Sequence, residues 1–341
     1  MPEAGPARAQ MMKRFAVTVI AATWAAFAAT DATARYRQPQ KDFEYPGGSV
    51  VSIQPHRVKL RIYYAISTGG QNPSLRLVVV LPRTIPNRQR ILNVEYSTEP
   101  VRITYSNGNR YAEFVFEKLE ANAELTIDIE AELYRYDLAV ARQEAARRSI
   151  ATGGLQQFLA NERYIDKDND AIQSAAKAIA TGATEVETVR NIYNYVIEKL
   201  EYSVLGREDA GAAAALEKGK GDCTEYSDLF AALCRARGIA ARVVTGFTER
   251  FDKVSPKHHW VEVYLKRYGW VPFDASWGDS ENEIIRKTAF EQMPPFYVYL
   301  SHIRNDPVLY NNHYYGYSYW GGDVVLSNSV RFTQPDSSTS R

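Results

Sequence analysis

A cysteine at the start of a helical pattern, followed by a histidine and an aspartate on what read as two neighbouring strands, restricts the fold of this chain more than any other feature. Cys223 follows the breaker run Gly219-Lys220-Gly221-Asp222. Tyr226, Leu229, Phe230, Leu233 and Arg237 then recur at three- and four-residue steps, which predicts a helix. The thiol falls in that helix's first turn, where unpaired N–H groups and the macrodipole favour an anion and are expected to lower its pKa. Gly238 reads as the helix stop, and Ile239 to Phe247 and His258 to Leu265 read as strands. Tyr268-Gly269 turns the chain into Trp270-Val271-Pro272-Phe273, so Asp274 returns beside the histidine strand. A thiol becomes a nucleophile as the thiolate and needs a base, and the base needs a third group to fix its tautomer and orientation. All three kinds of group stand here within about fifty residues.

His258 and His259 are adjacent, so residue chemistry alone leaves the base open between them. The local contexts carry a resemblance. Gly221-Asp222-Cys223, Arg235-Ala236-Arg237-Gly238-Ile239-Ala240-Ala241-Arg242, Val244-Thr245-Gly246, His258-His259-Trp260-Val261-Glu262-Val263-Tyr264 and Gly269-Trp270-Val271-Pro272-Phe273-Asp274 occur in that order. From about Tyr164 to Ser276, roughly a third of the chain, this resembles the bacterial branch of the transglutaminase-like superfamily, which has a papain-related fold. The resemblance implies Cys223 as nucleophile, His258 as base, because only it stands two residues before Trp260, and Asp274 as the residue that orients it. His259 would share a face with Val261, Val263 and Leu265, packed or at the strand edge. Tyr202, in the strand-like Glu201-Tyr202 stretch, would match an upstream aromatic that supplies an oxyanion-hole donor in some relatives. One departure stands out: the family often follows the aspartate with Pro-Thr, whereas this chain has Ala275-Ser276.

With 341 residues, 45% hydrophobic and 24% charged, the chain has the composition of a soluble protein long enough for two domains. A net charge of +1 argues against nucleic acid as a partner, since phosphate binding needs a concentrated basic surface. Cys223 and Cys234 lie eleven residues apart on one predicted helix. That separation is about 16 Å at 1.5 Å per residue, too far for a disulfide, and Cys234 reads as a buried, inert thiol. The segment Asp166-Lys167-Asp168-Asn169-Asp170 superficially suggests a calcium loop, but Ala171 replaces the turn glycine and Lys177 stands where a glutamate is required. No metal or cofactor is predicted.

Met11-Met12-Lys13-Arg14, the uncharged run Phe15 to Thr30 and Ala32-Thr33-Ala34 read as a signal peptide over residues 1–34, with residues 1–10 an over-extended start. Sixteen uncharged residues fall short of the roughly 20 that span a bilayer, so no integral span is expected once the signal is removed. Within 40–137, Val58, Leu60, Ile62 and Tyr64, and later Leu125, Ile127, Ile129, Ala131 and Leu133, alternate with polar residues. Between them Ser106-Asn107-Gly108-Asn109 marks a hairpin. His56 reads as a surface or edge residue. A helical connector is expected over 138–159, a catalytic domain over 160–333 and a disordered tail over 334–341. In the catalytic domain Asp170 is expected to cap a helix over Ile172 to Ile179, and Thr184-Glu185-Val186-Glu187 reads as a capping box. The aromatic run Tyr297 to Trp320 reads as closing strands rather than as a binding cleft.

The predicted fold class is therefore α+β, an N-terminal antiparallel β-sandwich followed by a papain-like, transglutaminase-like core of helices on an antiparallel sheet. The implied activity is that of a periplasmic or secreted cysteine enzyme that cleaves or transfers an amide bond of a peptide or protein, cell-envelope material included. The alternative is a non-catalytic binding or assembly module of the cell envelope.

Overall fold

The structure is a computed structural model that describes residues 55–144, 154–204, 209–249 and 256–333. Six strands come first: β1 (His56–Thr68), β2 (Ser74–Leu81), β3 (Gln89–Tyr96), β4 (Arg102–Ser106), β5 (Asn109–Phe116) and β6 (Ala123–Leu133). Next are β7 (Tyr136–Asp137), α1 (Leu138–Glu144), α2 (Asp170–Ala178), α3 (Glu185–Lys199), β8 (Glu201–Tyr202), α4 (Ala212–Lys218), β9 (Lys220–Gly221) and α5 (Cys223–Ala236). The remainder is β10 (Ala241–Thr248), β11 (Lys257–Leu265), β12 (Gly269–Phe273), α6 (Ala275–Gly278), α7 (Glu283–Thr288), β13 (Gln292–Met293), β14 (Tyr297–Ser301), β15 (Tyr315–Trp320) and β16 (Val324–Thr333).

The period-two pattern dictates which side chains of the first strands turn inward. Val58, Leu60, Ile62 and Tyr64 of β1 and Leu125 to Leu133 of β6, taken alternately, are buried, and the two strands pair antiparallel from His56↔Leu133 to Ile66↔Ala123. The β4–β5 hairpin turns through Asn107 and Gly108, whose φ values of 49° and 80° are those of the two-residue turn that the Asn-Gly sequence favours. Two four-stranded sheets result, in the orders β16-β1-β6-β3 and β15-β2-β5-β4.

Those orders overturn the expected boundary of the second domain. The last two strands, inside the span 160–333, lie outside the β12-β11-β10-β14 sheet and supply one edge to each sandwich sheet. β1 is long enough to pair with β16 from Lys59↔Thr333 to Thr68↔Val324, and strand pairing over that separation has no local sequence signal. The connector expected at 138–159 is helical over Leu138–Glu144, with a 3₁₀ turn at Gln156–Phe158. Asn169, not Asp170, caps α2, accepting from the Ala171 and Ile172 N–H groups. The Thr184 capping box of α3 forms as predicted. His56 lies at the start of β1 and pairs with Glu249 at 2.5 Å. The predicted signal segment and tail fall outside the described residues. No helix among the described residues is long and apolar enough to cross a membrane.

The second half is a four-stranded antiparallel sheet, β12-β11-β10-β14, with α5 packed against it and α2, α3 and α4 packed on α5, around Val189, Ile192, Leu229, Phe230, Val261 and Phe273. A second core joins Phe247, Val298 and Leu300 of this sheet to the sandwich. Buried Glu262 on β11 adds a polar tie, accepting from Arg242 across the β10–β11 pair at 2.6 Å and from Arg88, just before β3, at 3.3 Å. Arg88 also donates to the Trp270 carbonyl at 2.7 Å. The architecture is α+β, an antiparallel sandwich joined to helices on an antiparallel sheet, as the sequence predicts.

Candidate active site

The breaker run ahead of Cys223 works by capping. Asp222 accepts the Thr224 N–H at 2.8 Å, and the Glu225 carboxylate accepts the Asp222 N–H at 3.1 Å. Gly221 leaves room for this closure, since a Cβ there would meet the Glu225 Cβ at 2.3 Å. The helix then runs through the core with Thr224 to Arg235 buried, and Cys223 opens its first turn.

Strands β10 and β11 bring the histidine to the thiol. Gly246 pairs with His258 and tolerates no side chain, because a Cβ would lie 2.2 Å from the Val298 carbonyl oxygen and 2.4 Å from the Trp260 ring. That close approach lets the Trp260 indole stack near the imidazole of His258, with centroids 6.1 Å apart and planes 24° apart. Nε2 of His258 meets Asp274 Oδ2 at 2.6 Å. The other ring nitrogen is left for the Cys223 thiol, with which His258 shares a hydrogen bond.

Asp274 ends β12 and caps α6, and its carboxylate is held from several directions. Tyr297 donates to Oδ2 at 2.9 Å, while the Ser276 hydroxyl and the Trp277 N–H donate to Oδ1 at 2.8 and 3.0 Å. Its main-chain carbonyl accepts from Tyr193 at 3.0 Å, a contact possible only because residue 278 is glycine, where a Cβ would sit 1.8 Å from that hydroxyl. Ser276, one of the two residues that replace the Pro-Thr expected after the aspartate, is thus a donor to it.

Burial and pairing compete over the charges. Burial opposes the imidazolium, but Asp274 and Cys223 outweigh it and raise His258 to about 10. Burial likewise opposes ionised Asp274, yet His258 and the Trp277 and Ser276 donors bring it below its ordinary value. Burial raises the Cys223 thiol, with Asp222 adding to the rise, against the lowering effects of His258 and of the His259 main-chain N–H. Desolvation is the largest of these influences although Cys223 is itself only half-buried, and the capping carboxylate of Asp222 at the same helix start opposes the thiolate. Cys234 is fully buried and its thiol is raised much further, and the two cysteines are not bonded to each other.

His259 is buried and hydrogen-bonded at both nitrogens, to Thr224 Oγ1 and to His313 Nδ1, each at 3.2 Å. Tyr202 pairs with Gly221 across β8–β9, and its ring lies 6.0 Å from that of Tyr226. Tyr297, Tyr193, Ser276, Thr224, His313 and Tyr314, whose hydroxyl reaches the His258 carbonyl at 3.4 Å, are neighbours of the centre that the motifs did not single out. Tyr297 and Tyr314 belong to the aromatic run, but nothing local in it tells a hydrogen-bonding tyrosine from a packing one. Among the described residues no group of three or more His, Cys, Asp or Glu side chains could hold a metal ion. The assembled groups can pass a proton between sulfur and imidazole while a carboxylate holds the ring.

Residues 173–275 match the family model described as the transglutaminase-like superfamily. An uncharacterized protein of Haemophilus influenzae is 26% identical over 217 residues, 51% of this chain and 59% of its own length. Human kyphoscoliosis peptidase is 27% identical over 107 residues, 28% of this chain and 16% of its own length. The chain thus spans less than two thirds of either relative. A Cytophaga hutchinsonii structure, provisionally assigned as a cysteine protease, aligns over 84% of this chain and 94% of its own with a TM-score of 0.56 at 18% identity, a likeness of fold.

Proposed function

We propose that the chain, whose residues 173–275 match the transglutaminase-like superfamily model, is an exported cysteine enzyme that cleaves or transfers an amide bond. The single observation that carries this reading is the 2.6 Å contact between His258 and Asp274 beside the Cys223 thiol. In the proposed reaction the sulfur attacks a carboxamide or peptide carbonyl carbon, and its proton resides on His258 as the new C–S bond forms. The tetrahedral oxyanion faces the Cys223 main-chain N–H, with Tyr202 as the candidate second donor. His258 then gives its proton to the leaving amine as the C–N bond breaks, which leaves a thioester, and water or a second amine releases the acyl group. The peptidase name of the human relative supports a peptide or protein substrate. Export rests on the signal-like segment ending at Ala34.

A non-catalytic module is the second reading, and the burial that raises the Cys223 thiol is the observation in its favour. Two measurements separate them. Incubation with a peptide library followed by mass spectrometry should reveal an acyl adduct on Cys223. Iodoacetamide near neutral pH should modify Cys223 far faster than Cys234. Absence of any adduct together with equal alkylation rates in the folded protein would retire the enzyme reading.

A further inference from the structure

Strands β3 and β4 are each the last strand of a sandwich sheet, and residues of both line one open cleft of about 380 Å³. Ile91 and Val94 of β3 and Tyr105 of β4 form its apolar part. Arg110 of β5, with Arg83 and Thr84 from the segment between β2 and β3, forms its polar part. Arg110 shares a strand face with Ala112 and Phe114, both core residues, and Phe114 packs on Tyr96 of the opposite sheet with ring centroids 5.9 Å apart. The inner faces of a sandwich form its hydrophobic core, and an arginine in that register is an exception.

Among the described residues neither guanidinium has an ion-pair partner, and Nε of Arg83 and Nε of Arg110 are buried with no hydrogen-bond partner. Arg61, Arg76, Arg90 and Arg102 of the same sandwich, by contrast, each meet a carboxylate at 2.5 to 2.7 Å. Burial lowers the pKa of Arg83 and Arg242 adds to the fall, while Glu262 opposes it. That carboxylate is already held by Arg242 and Arg88, at 2.6 and 3.3 Å. A guanidinium keeps its charge in a protein, so its burial without a partner costs free energy that an anion in the cleft would offset.

Both groups are held in place. The Arg83 carbonyl accepts from Gln89 at 2.7 Å, and buried Gln89 also bonds the main chain of Tyr299 in both directions, at 2.8 and 2.7 Å. The Arg83 side chain then reaches the β4–β5 turn, its Nη2 3.9 Å from where a Gly108 Cβ would stand. Arg110 is fixed by main-chain pairing to Leu81 on one side and Tyr105 on the other. Thr84 adds a third donor, because its Oγ1 accepts the Ile91 N–H at 3.1 Å and its hydroxyl hydrogen remains for a ligand. The Tyr105 ring is 71% exposed and offers a flat apolar face.

We propose that this cleft binds a small organic phosphate monoester, its dianion between Arg83 and Arg110 within reach of the Thr84 hydroxyl and its organic part against Tyr105 and Ile91. Two guanidiniums match the nearly double negative charge of such a group, and arginine presents paired N–H donors to its oxygens. The cleft falls in the size range of small-molecule sites, about 300–1,000 Å³. The assignment does not rest on the chemistry of Cys223.

Calorimetric titration of the full chain at pH 8, where a monoester with a second pKa of about 6 is a dianion, compares phenyl phosphate, inorganic phosphate and benzoate. Inorganic phosphate should bind about threefold more weakly than phenyl phosphate, lacking the ring contact, and benzoate about tenfold more weakly, bringing one charge. Arg83→Gln and Arg110→Gln should each weaken phenyl phosphate about tenfold, the size of one charge-assisted hydrogen bond. Tyr105→Ala should weaken phenyl phosphate about threefold and leave inorganic phosphate unchanged. The ranking of the three ligands on wild type stands whether or not a variant folds. No binding at about 10 mM phenyl phosphate, benzoate as tight as phenyl phosphate, or wild-type affinity in both arginine variants would overturn the proposal. Inorganic phosphate as tight as phenyl phosphate would make free phosphate the ligand and overturn the ester.

Discussion

His258 and His259 leave the same strand one residue apart, yet their surroundings push the pKa values of the two rings in opposite directions. His258 has a carboxylate in direct contact, Asp274 at 2.6 Å, and is raised to about 10. His259 has its carboxylate one ring further away, because Asp209 contacts His313 and Arg304 instead. Burial, reinforced by the positive charges around it, puts its pKa well below the ordinary histidine value. Residue type and strand position are nearly the same, so the difference lies in which face meets a carboxylate first. A thiolate beside His258 has an ion-pair partner; beside His259 it has one main-chain N–H.

The sharpest way to break this comparison is to delete each ring in turn. His258→Ala should slow acylation by several orders of magnitude in single-turnover measurements, whereas His259→Ala should cost tenfold or less, about 1.4 kcal/mol. The reverse ranking would move the base to His259. Asp274→Asn comes next in size. Asparagine keeps the shape but removes the charge that stabilises the imidazolium and can favour the wrong tautomer; the same swap in the triad of a serine protease costs about 10⁴-fold. A thiol–imidazole pair can hold charge before substrate arrives, so a smaller loss is expected here, about ten- to a thousandfold. Near-wild-type acylation at matched thermal stability would exclude Asp274 from the reaction.

The parts of this comparison that are legible in the sequence are those written locally. The Cys223 helix start, the strand at His258 and the hairpin at Asn107-Gly108 each depend on residues within a few positions, and each forms. The alternation of Val58 to Tyr64 reads directly as a sheet face. What escapes the sequence is non-local. Tyr297 reaches Asp274 across the sheet, and His313 comes to His259 from a segment that also leads the chain back to the sandwich. No spacing rule reports such meetings. The thiol's electrostatics are non-local for a related reason: a helix start is visible in sequence, but the desolvation that raises the Cys223 thiol comes from the whole fold.

The opposite fates of the two rings also separate by pH. His258 has a folded pKa raised from 6.5 to about 10, so the stability it contributes is fully present below about 6.5 and is lost as pH rises toward 10. Asp274 is lowered, so its contribution is present above about 3.8 and is lost only on acidification. The difference in unfolding free energy between wild type and His258→Gln, measured by denaturant titration, should therefore shrink from pH 6.5 to 10. His259→Gln should show no such decline over that range, because a ring already uncharged when folded has no proton to lose there. A flat difference for His258→Gln would mean that the ring is uncharged in the folded protein.

The smallest expected effect lies one bond behind His258. Tyr297 donates to the same Asp274 oxygen that contacts the imidazole, at 2.9 Å, while Ser276 and Trp277 hold the other oxygen. Tyr297→Phe removes that donor and keeps the ring, which packs against Trp260 with centroids 5.0 Å apart. A carboxylate that loses a donor becomes more basic, so it should hold the imidazolium more tightly and slow proton delivery to the leaving amine. Ser276, Trp277 and His258 still donate to Asp274, and the loss should be about 1 kcal/mol, roughly fivefold in acylation. The direction is diagnostic as well as the size. If the hydroxyl only packs, the variant should lose stability without moving the histidine; if it tunes Asp274, the His258 pKa followed by NMR should rise further. A His258 pKa that falls in Tyr297→Phe would show that the tyrosine positions the carboxylate rather than tempering its charge.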